Sequence, residues 1–312
     1  MEAVAGRLGK QVREFDPAIA PYAEYTLMGQ GKQLRPTLVA MSAQATGQLN
    51  DSHITVAVII EMVHLATLVH DDVMDEAEIR RGRLTFSANW GNEVAVLFGD
   101  CLFAQALKLA ASFPTPEICR AVAMATNTVC SGEILQTQQR RNFQFSRAEY
   151  FKILEMKTAE LFALSCDLGA CLSGAPSAQR TALRDFGVAL GTAYQVYDDC
   201  LDLFGSEADA GKSLGTDLAK GKLTLPILCF WQRATAPDKV RMEDLIQNWK
   251  PGELAMVLEL LGKYGTLAES LTTIHQYLGQ ARQNIKGLPE ANQAGLIGLT
   301  EYLGRLTDRL GV

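Results

Sequence analysis

The sequence has no Cys-x-x-Cys pair, and its seven cysteines are odd in number and mostly set in apolar stretches. That pattern argues against a disulfide frame and a cysteine-based zinc site, and predicts reduced thiols in a cytoplasmic protein. Basic charge is in deficit: 29 Lys and Arg stand against 35 Asp and Glu, for a net charge of −6. No broad nucleic-acid-binding face is expected from that balance. The first residues, Met1-Glu2-Ala3-Val4, lack a basic stretch leading into an apolar one, so no secretory leader is expected. Clean hydrophobic runs of membrane-spanning length are missing too. The run Ile54–Val69 is interrupted by Glu61 and His64, and Val94–Phe113 by Asp100 and Lys108. Both are expected as buried helices, with no membrane span.

Alternation of β-branched residues over strand length is also scarce, whereas apolar spacing of helical period runs through nearly the whole sequence. The spacing predicts an all-α protein with helices near 17–28, 33–47, 51–75, 91–113, 115–141, 147–174, 178–204, 222–234, 238–248, 252–262, 265–285 and 288–310. Pro114 and Pro116, Gly174-Ala175-Pro176, the 205–211 segment and Pro251-Gly252 punctuate them. Asp51 precedes one helix, and Ser146 with Glu149 reads as a capping box. The 48% hydrophobic content is ample for a core and no linker divides the chain, so residues 1–312 are expected to be a single domain.

Two clusters carry chemistry: His70-Asp71-Asp72-Val73-Met74-Asp75 and Tyr197-Asp198-Asp199-Cys200-Leu201-Asp202. On a helix, positions three or four apart share a side, so each cluster aims carboxylates one way. A single such cluster is more often a solvated acidic face. Two identical ones, each directly after an apolar helix, are crowded at the edge of a core and need cations to offset repulsion and lost hydration. Hard oxygen ligands of this kind suit Mg²⁺; the alternating ligands and central Gly of an EF-hand are absent.

Cationic groups lie nearby in sequence: Lys32 and Arg35 in Gly-Lys-Gln-Leu-Arg-Pro, Arg80-Arg81-Gly82, Lys157-Thr158, Gly211-Lys212-Ser213 and Gly221-Lys222. Each alone reads as surface charge, and Gly-Lys-Ser without the full spacing or a preceding strand is no nucleotide-binding loop. His64 by itself reads as a satisfied core histidine.

With these residues in view, the chain resembles the trans-isoprenyl diphosphate synthases (the polyprenyl synthetase family) from about Pro21 to Gly311. The markers fall in the family's order: Gly-Lys-x-x-Arg-Pro at 31–36, Glu61-Met62 with His64, the first Asp cluster with Arg-Arg-Gly at 70–82, and Gly99-Asp100. Gly132-Glu133 with Gln136, Lys157-Thr158, Gln195 with the second Asp cluster, Gly-Lys-x-x-Gly-x-Asp-Leu at 211–218 and Gly-Lys-x-Thr-Leu-Pro at 221–226 complete the set. Departures are Gln30 and Gln33, where Gly and Arg are common, Leu84 for a usual Pro, and Lys220 for a usual acid; none removes an implied ligand.

The resemblance implies a single-domain isoprenoid-synthase helical bundle around a central apolar tunnel, usually a homodimer. It implies three Mg²⁺ ions on an allylic diphosphate: Asp71 and Asp75, with Asp72 in support, and Asp198, backed by Asp199 and Asp202. Arg80, Lys157, Lys212 and Lys222 would hold the same diphosphate, while Lys32, Arg35, His64 and Arg81 would hold isopentenyl diphosphate without metal. Lys157, Thr158 and Gln195 would be the catalytic residues, the last two facing the reacting carbons. Residues one and two turns before Asp71 (Ala66 and Thr67, then Val63 and Ile60 or Ile59) would line the tunnel, with Phe98, Leu102 or Phe103 as its floor. Small Ala66 and Thr67 leave that tunnel open and imply products beyond C15, in the range C25–C45.

Breaking an allylic C–O bond develops negative charge on diphosphate and positive charge on carbon, so cations aimed at the leaving group act where charge forms. A class I terpene cyclase would need the first cluster but mixes Asn, Ser and Glu in its second. A non-catalytic subunit of a heterodimeric synthase would typically lose the acidic clusters. Both clusters are intact here.

Overall fold

The structure is a computed structural model and describes residues 1–29, 31–207 and 213–310. Its elements run α1 (Glu2–Val12), α2 (Ala20–Leu27), α3 (Leu34–Thr46), α4 (Asp51–Met74), a hairpin of β1 (Ile79–Arg80) and β2 (Arg83–Leu84), α5 (Phe86–Trp90), α6 (Asn92–Ala111) and α7 (Glu117–Gln138). There follow α8 (Arg147–Leu154), a π-helical turn (Glu155–Ala159), α9 (Glu160–Leu172), α10 (Ser177–Phe204), α11 (Thr216–Ala219), α12 (Leu225–Arg233), α13 (Ala236–Gln247), α14 (Leu254–Lys263), α15 (Thr266–Asn284) and α16 (Glu290–Thr307). The protein is all-α, as expected. The short α5, α11 and the hairpin escaped the periodicity, since a few residues cannot establish a period; the 11-residue α1 was missed as well.

Helix α4 shows how the sequence builds the scaffold. The Asn50 side chain accepts from the backbone N–H groups of Ser52 and His53, so the cap is Asn50, one residue before the expected Asp51. From Val56 to Val63 every residue is buried, including Glu61, as the unbroken apolar run requires. Helix α4 packs along α6, α3 and α1. The buried His53 fixes this helix to α9: its Nδ1 accepts from Asn50 N–H at 3.1 Å and its Nε2–H donates to the Gly169 carbonyl at 3.1 Å. Helices α4 and α6 are both long and apolar enough to cross a membrane by length and composition alone. Their burial differs: α4 is mostly enclosed, while α6 leaves Val96 and Leu97 exposed. The expectation of a buried helix therefore holds for α4 and only partly for α6.

The predicted helix at 147–174 is interrupted by the π turn that carries Lys157 and Thr158. This turn runs flush against α7: a Cβ on Gly132 would lie 2.8 Å from the Lys157 backbone nitrogen. Wider turns of this kind re-aim side chains and recur at functional sites.

The chain divides into two compact units, one of Met1–Asn127, Leu161–Gly187 and Asn284–Leu296, the other of Thr128–Glu160, Val188–Gln283 and Ile297–Val312. Helices α7, α10 and α16 contribute residues to both, and α9 and α15 do so by one terminal residue each.

Candidate active site

In the first unit the acidic cluster closes α4. Asp71 lies in the last turn and Asp75 is the C-cap, both partly accessible. Asp72 points the other way, is 4% exposed, and accepts from Arg80 Nε at 2.7 Å. Burial raises its pKa and the Arg80 charge pulls it back. Arg80 and Arg81 reach the site on the hairpin, whose two central residues, Arg81 (φ 53°) and Gly82 (φ 71°), are both left-handed. That is the two-residue turn whose twist matches paired strands.

A second set of cations gathers beside it. The Arg81 guanidinium lies close to Gly31, where a Cβ would sit 2.5 Å from Nη1. Arg35 stacks over the Phe162 ring at 5.0 Å. Buried Glu61 has its pKa raised by desolvation and opposed by Arg35 and Arg81. His64 is held well below its ordinary pKa, first by desolvation and then by Arg35, Arg81 and Arg80. The structure thus brings together Arg35, His64, Arg81 and Glu61, while Lys32 stands exposed just before α3.

In the second unit the acidic cluster lies near the end of α10. Asp199 is buried; its oxygens accept from Tyr150 Oη at 2.6 Å and Gln195 Nε2 at 2.8 Å. Burial, with Asp217 and Asp198 nearby, raises its pKa well above the usual carboxylate range. Thr158 Oγ1 donates to Gln195 Oε1 at 2.8 Å. Lys157 Nζ is held by Gln136 Oε1 at 2.8 Å and Glu133 Oε2 at 2.5 Å. Asp202, 1% exposed, accepts from Thr216 Oγ1 at 2.6 Å and from the N–H groups of Thr216 and Asp217 at 3.3 and 3.0 Å. Both its oxygens therefore bind the 216–217 backbone and bring Asp217 to within 3.9 Å of Lys222 Nζ. Lys212 lies outside the described residues.

Tyr150 gave no sequence signal, since its partner is 49 residues away. Glu61, Glu133 and Asp217 stood in recognised motifs without an assigned role, because their partners are set by tertiary contacts.

Among the described residues no three acidic, His or Cys side chains form a closed metal cage. The donors at the two helix ends are all carboxylates, and Asp71, Asp75 and Asp198 are each partly accessible. Such an open hard-oxygen set fits a divalent cation that keeps water and takes further ligands from a substrate phosphate.

The class defined by this fold and these sites is the all-helical isoprenoid synthases. The chain belongs to the polyprenyl synthetase family, whose sequence profile matches residues 16–261; this is a family of divalent-metal-dependent prenyltransferases. It is 34% identical over 304 residues to an octaprenyl diphosphate synthase of Haemophilus influenzae, spanning 97% of this chain and 92% of that one. It is 32% identical to heptaprenyl diphosphate synthase component 2 of Bacillus subtilis, over 98% of this chain and 87% of the relative. Among solved structures, a polyprenyl synthase from Caulobacter crescentus, complexed with calcium and isoprenyl diphosphate, superposes with a TM-score of 0.91 at 33% identity, covering 96% of this chain and 93% of that one.

Proposed function

We propose that the protein is a Mg²⁺-dependent trans-prenyltransferase that condenses isopentenyl diphosphate head-to-tail with an allylic diphosphate, giving products beyond C15. The observation that carries this reading is the grouping of Arg35, His64 and Arg81 on residues distinct from both Asp clusters. A cyclase needs one diphosphate site; an elongating enzyme needs two.

In this reading Asp71 and Asp75 in the first unit, and Asp198 in the second, would each hold Mg²⁺. Bound Mg²⁺ would neutralise charge developing on the departing diphosphate. Asp72 and Asp202 act one step back, Asp72 by holding Arg80 and Asp202 by holding the Asp217 segment. Arg80, Lys157 and Lys222, with Lys212, add positive charge at the leaving group as the C–O bond breaks. Lys32, Arg35, His64 and Arg81 fix isopentenyl diphosphate so that its double bond meets the allylic carbon, which removes most of the orientational cost. Thr158 and Gln195 face the carbons, and the released diphosphate takes up the proton lost from the new prenyl unit.

For chain length, Ile60, Val63 and Ala66 are 0–1% exposed on α4 and line the route of the growing tail. Thr67 Oγ1 donates to the His64 carbonyl at 2.7 Å, which satisfies its hydroxyl and suits a small wall residue. The Phe103 ring meets His70 at 5.7 Å between centroids and serves as the floor, whereas Phe98 is committed to a stack on Phe86 at 4.8 Å. With Ala66 and Thr67 small, the product falls in the range C25–C45. The exposed Val96 and Leu97 flank of α6 serves a homodimer of a cytoplasmic enzyme.

A second reading has one specific support: a relative is named as component 2 of a heptaprenyl synthase, so a second chain would be required here. Incubating the purified protein with labelled isopentenyl diphosphate, an allylic primer and Mg²⁺ separates the readings. Elongation by the protein alone supports the proposal. Primer consumed to a cyclic hydrocarbon, without label incorporation, identifies a cyclase, and incorporation only after a partner chain is added identifies a heteromer.

A further inference from the structure

The histidine that opens the first Asp cluster is wedged into α6. A Cβ on Gly99 would overlap the His70 ring, whose Nε2, Cδ2 and Cε1 would be its three nearest atoms. Gly99 is buried inside α6, where glycine is a poor helix former. The side chain it lacks is the space that the imidazole fills. His70 Nε2–H donates to the Val96 carbonyl at 3.0 Å and lies 3.5 Å from Asp100 Oδ1. The Phe103 ring flanks the imidazole at 5.7 Å between centroids. Positions 96, 99, 100 and 103 share one stripe of α6, and together they form a socket for a single side chain.

What stands beside His70 gives the socket its use. Successive residues on a helix are about 100° apart, so Asp71 lies between His70 on one flank and Asp72 on the other. Asp75, one turn on, projects to nearly the same side as Asp71. Asp72 is tied to Arg80 at 2.7 Å. The hairpin bearing Arg80 is itself steadied by Arg83, which stacks over the Tyr25 ring at 4.3 Å, and by Tyr25 Oη, which donates to the Leu84 carbonyl at 2.6 Å. The last turn of α4 is therefore clamped on both flanks, to the hairpin through Asp72 and to α6 through His70. Helix ends fray, and a roll of this turn re-aims both open carboxylates at once.

We propose that His70 is a positioning residue for metal binding at the first Asp cluster: its ring, lodged against Gly99 and Phe103, fixes the roll of the last α4 turn and with it the direction of Asp71 and Asp75. This rests on the reading of Asp71 and Asp75 as Mg²⁺ ligands. Where the ring is removed, Arg80 still holds Asp72, the α6 flank of the turn opens, and the two carboxylates lose their common aim. Gly99→Ala does the same from the other side, by expelling the ring from its socket.

The test is Mn²⁺ binding by the full chain, followed by electron paramagnetic resonance in the presence of an unreactive allylic thiolodiphosphate, beside steady-state kinetics. His70→Ala is expected to weaken Mn²⁺ binding roughly tenfold, the scale on which supports of metal ligands act, and to raise the allylic KM by a like factor. KM for isopentenyl diphosphate should stay within about threefold of wild type. His70→Gln, whose amide N–H reaches toward the Val96 carbonyl, is expected to recover Mn²⁺ binding to within about threefold of wild type. Gly99→Ala should match His70→Ala, and the double variant should bind no more weakly than either, since both changes remove one contact. Should Gly99→Ala or His70→Ala fail to fold, His70→Leu, which keeps bulk and removes the donor, is compared with His70→Gln in the same way. Weakened Mn²⁺ binding in Asp71→Ala beside wild-type binding in His70→Ala overturns the role of His70 alone. Wild-type binding in Asp71→Ala overturns the reading beneath it. A lower Tm in His70→Ala with Mn²⁺ binding unmoved assigns the ring a merely structural role and also overturns the proposal.

Discussion

The Tyr150 phenol donates to a carboxylate oxygen of Asp199 at 2.6 Å, and this one bond orients a chain of polar groups. The other Asp199 oxygen needs a donor, so the Gln195 amide presents its NH₂ there at 2.8 Å and turns its oxygen to Thr158. The Thr158 hydrogen is thereby used, and in the proposed reading its lone pairs would face the reacting carbons. Tyr150→Phe keeps the ring and removes this order. It is expected to lower kcat about tenfold, some 1.4 kcal/mol of barrier, with substrate KM values nearly unchanged in steady-state kinetics.

Gly132 allows the π turn to lie against α7. Because a Cβ there would meet backbone at Lys157, and not a flexible side chain, Gly132→Ala must displace the turn. The expected cost is about 1–3 kcal/mol of stability, read as a lower Tm, together with a loss of kcat as Lys157 and Thr158 shift.

His64 stays neutral at physiological pH, since desolvation and three arginines all disfavour its charged form. In the proposed isopentenyl diphosphate site it would therefore bind the anion by hydrogen bonding. His64→Gln is expected to keep KM for isopentenyl diphosphate within about threefold, while His64→Ala, which leaves the anion one partner short, should raise it about tenfold or more. KM measured for both variants at pH 7 checks this.

His53 gives the fold a pH dependence. Burial lowers its pKa below the ordinary 6.5, outweighing the opposing hydrogen bonds to Gly169 and Asn50. The folded state thus binds this proton at lower pH than the unfolded chain does. Its contribution is fully present above about 6.5 and is lost as pH falls below that value through the folded pKa. Tm measured from pH 8 downward should decline in that window, and the decline should be shallower in His53→Gln, which takes up no proton.

The helices and both acidic clusters were legible because each depends on local spacing: the α4 run and its terminal Asp residues can be read from neighbours alone. The partners of the clustered carboxylates were not. The resemblance set Asp72 and Asp202 in support of Asp71 and Asp198, yet only the structure shows that Arg80 claims one and the Thr216–Asp217 backbone the other. These partners are chosen by tertiary packing. Tyr150 meets Asp199 through a contact of the same kind, and no periodicity could have pointed to it. The π turn was hidden for a related reason: its sequence is ordinary helix, and its widening is visible only against Gly132.

The central claim is chain elongation past C15 along α4, and chromatography of the dephosphorylated products tests it most directly. Wild type is expected to release products in the range C25–C45, and Ala66→Phe, which fills a fully buried position one turn before Asp71, is expected to shift them markedly shorter. Wild-type products that stop at C15, or lengths that do not change in Ala66→Phe, would contradict the account.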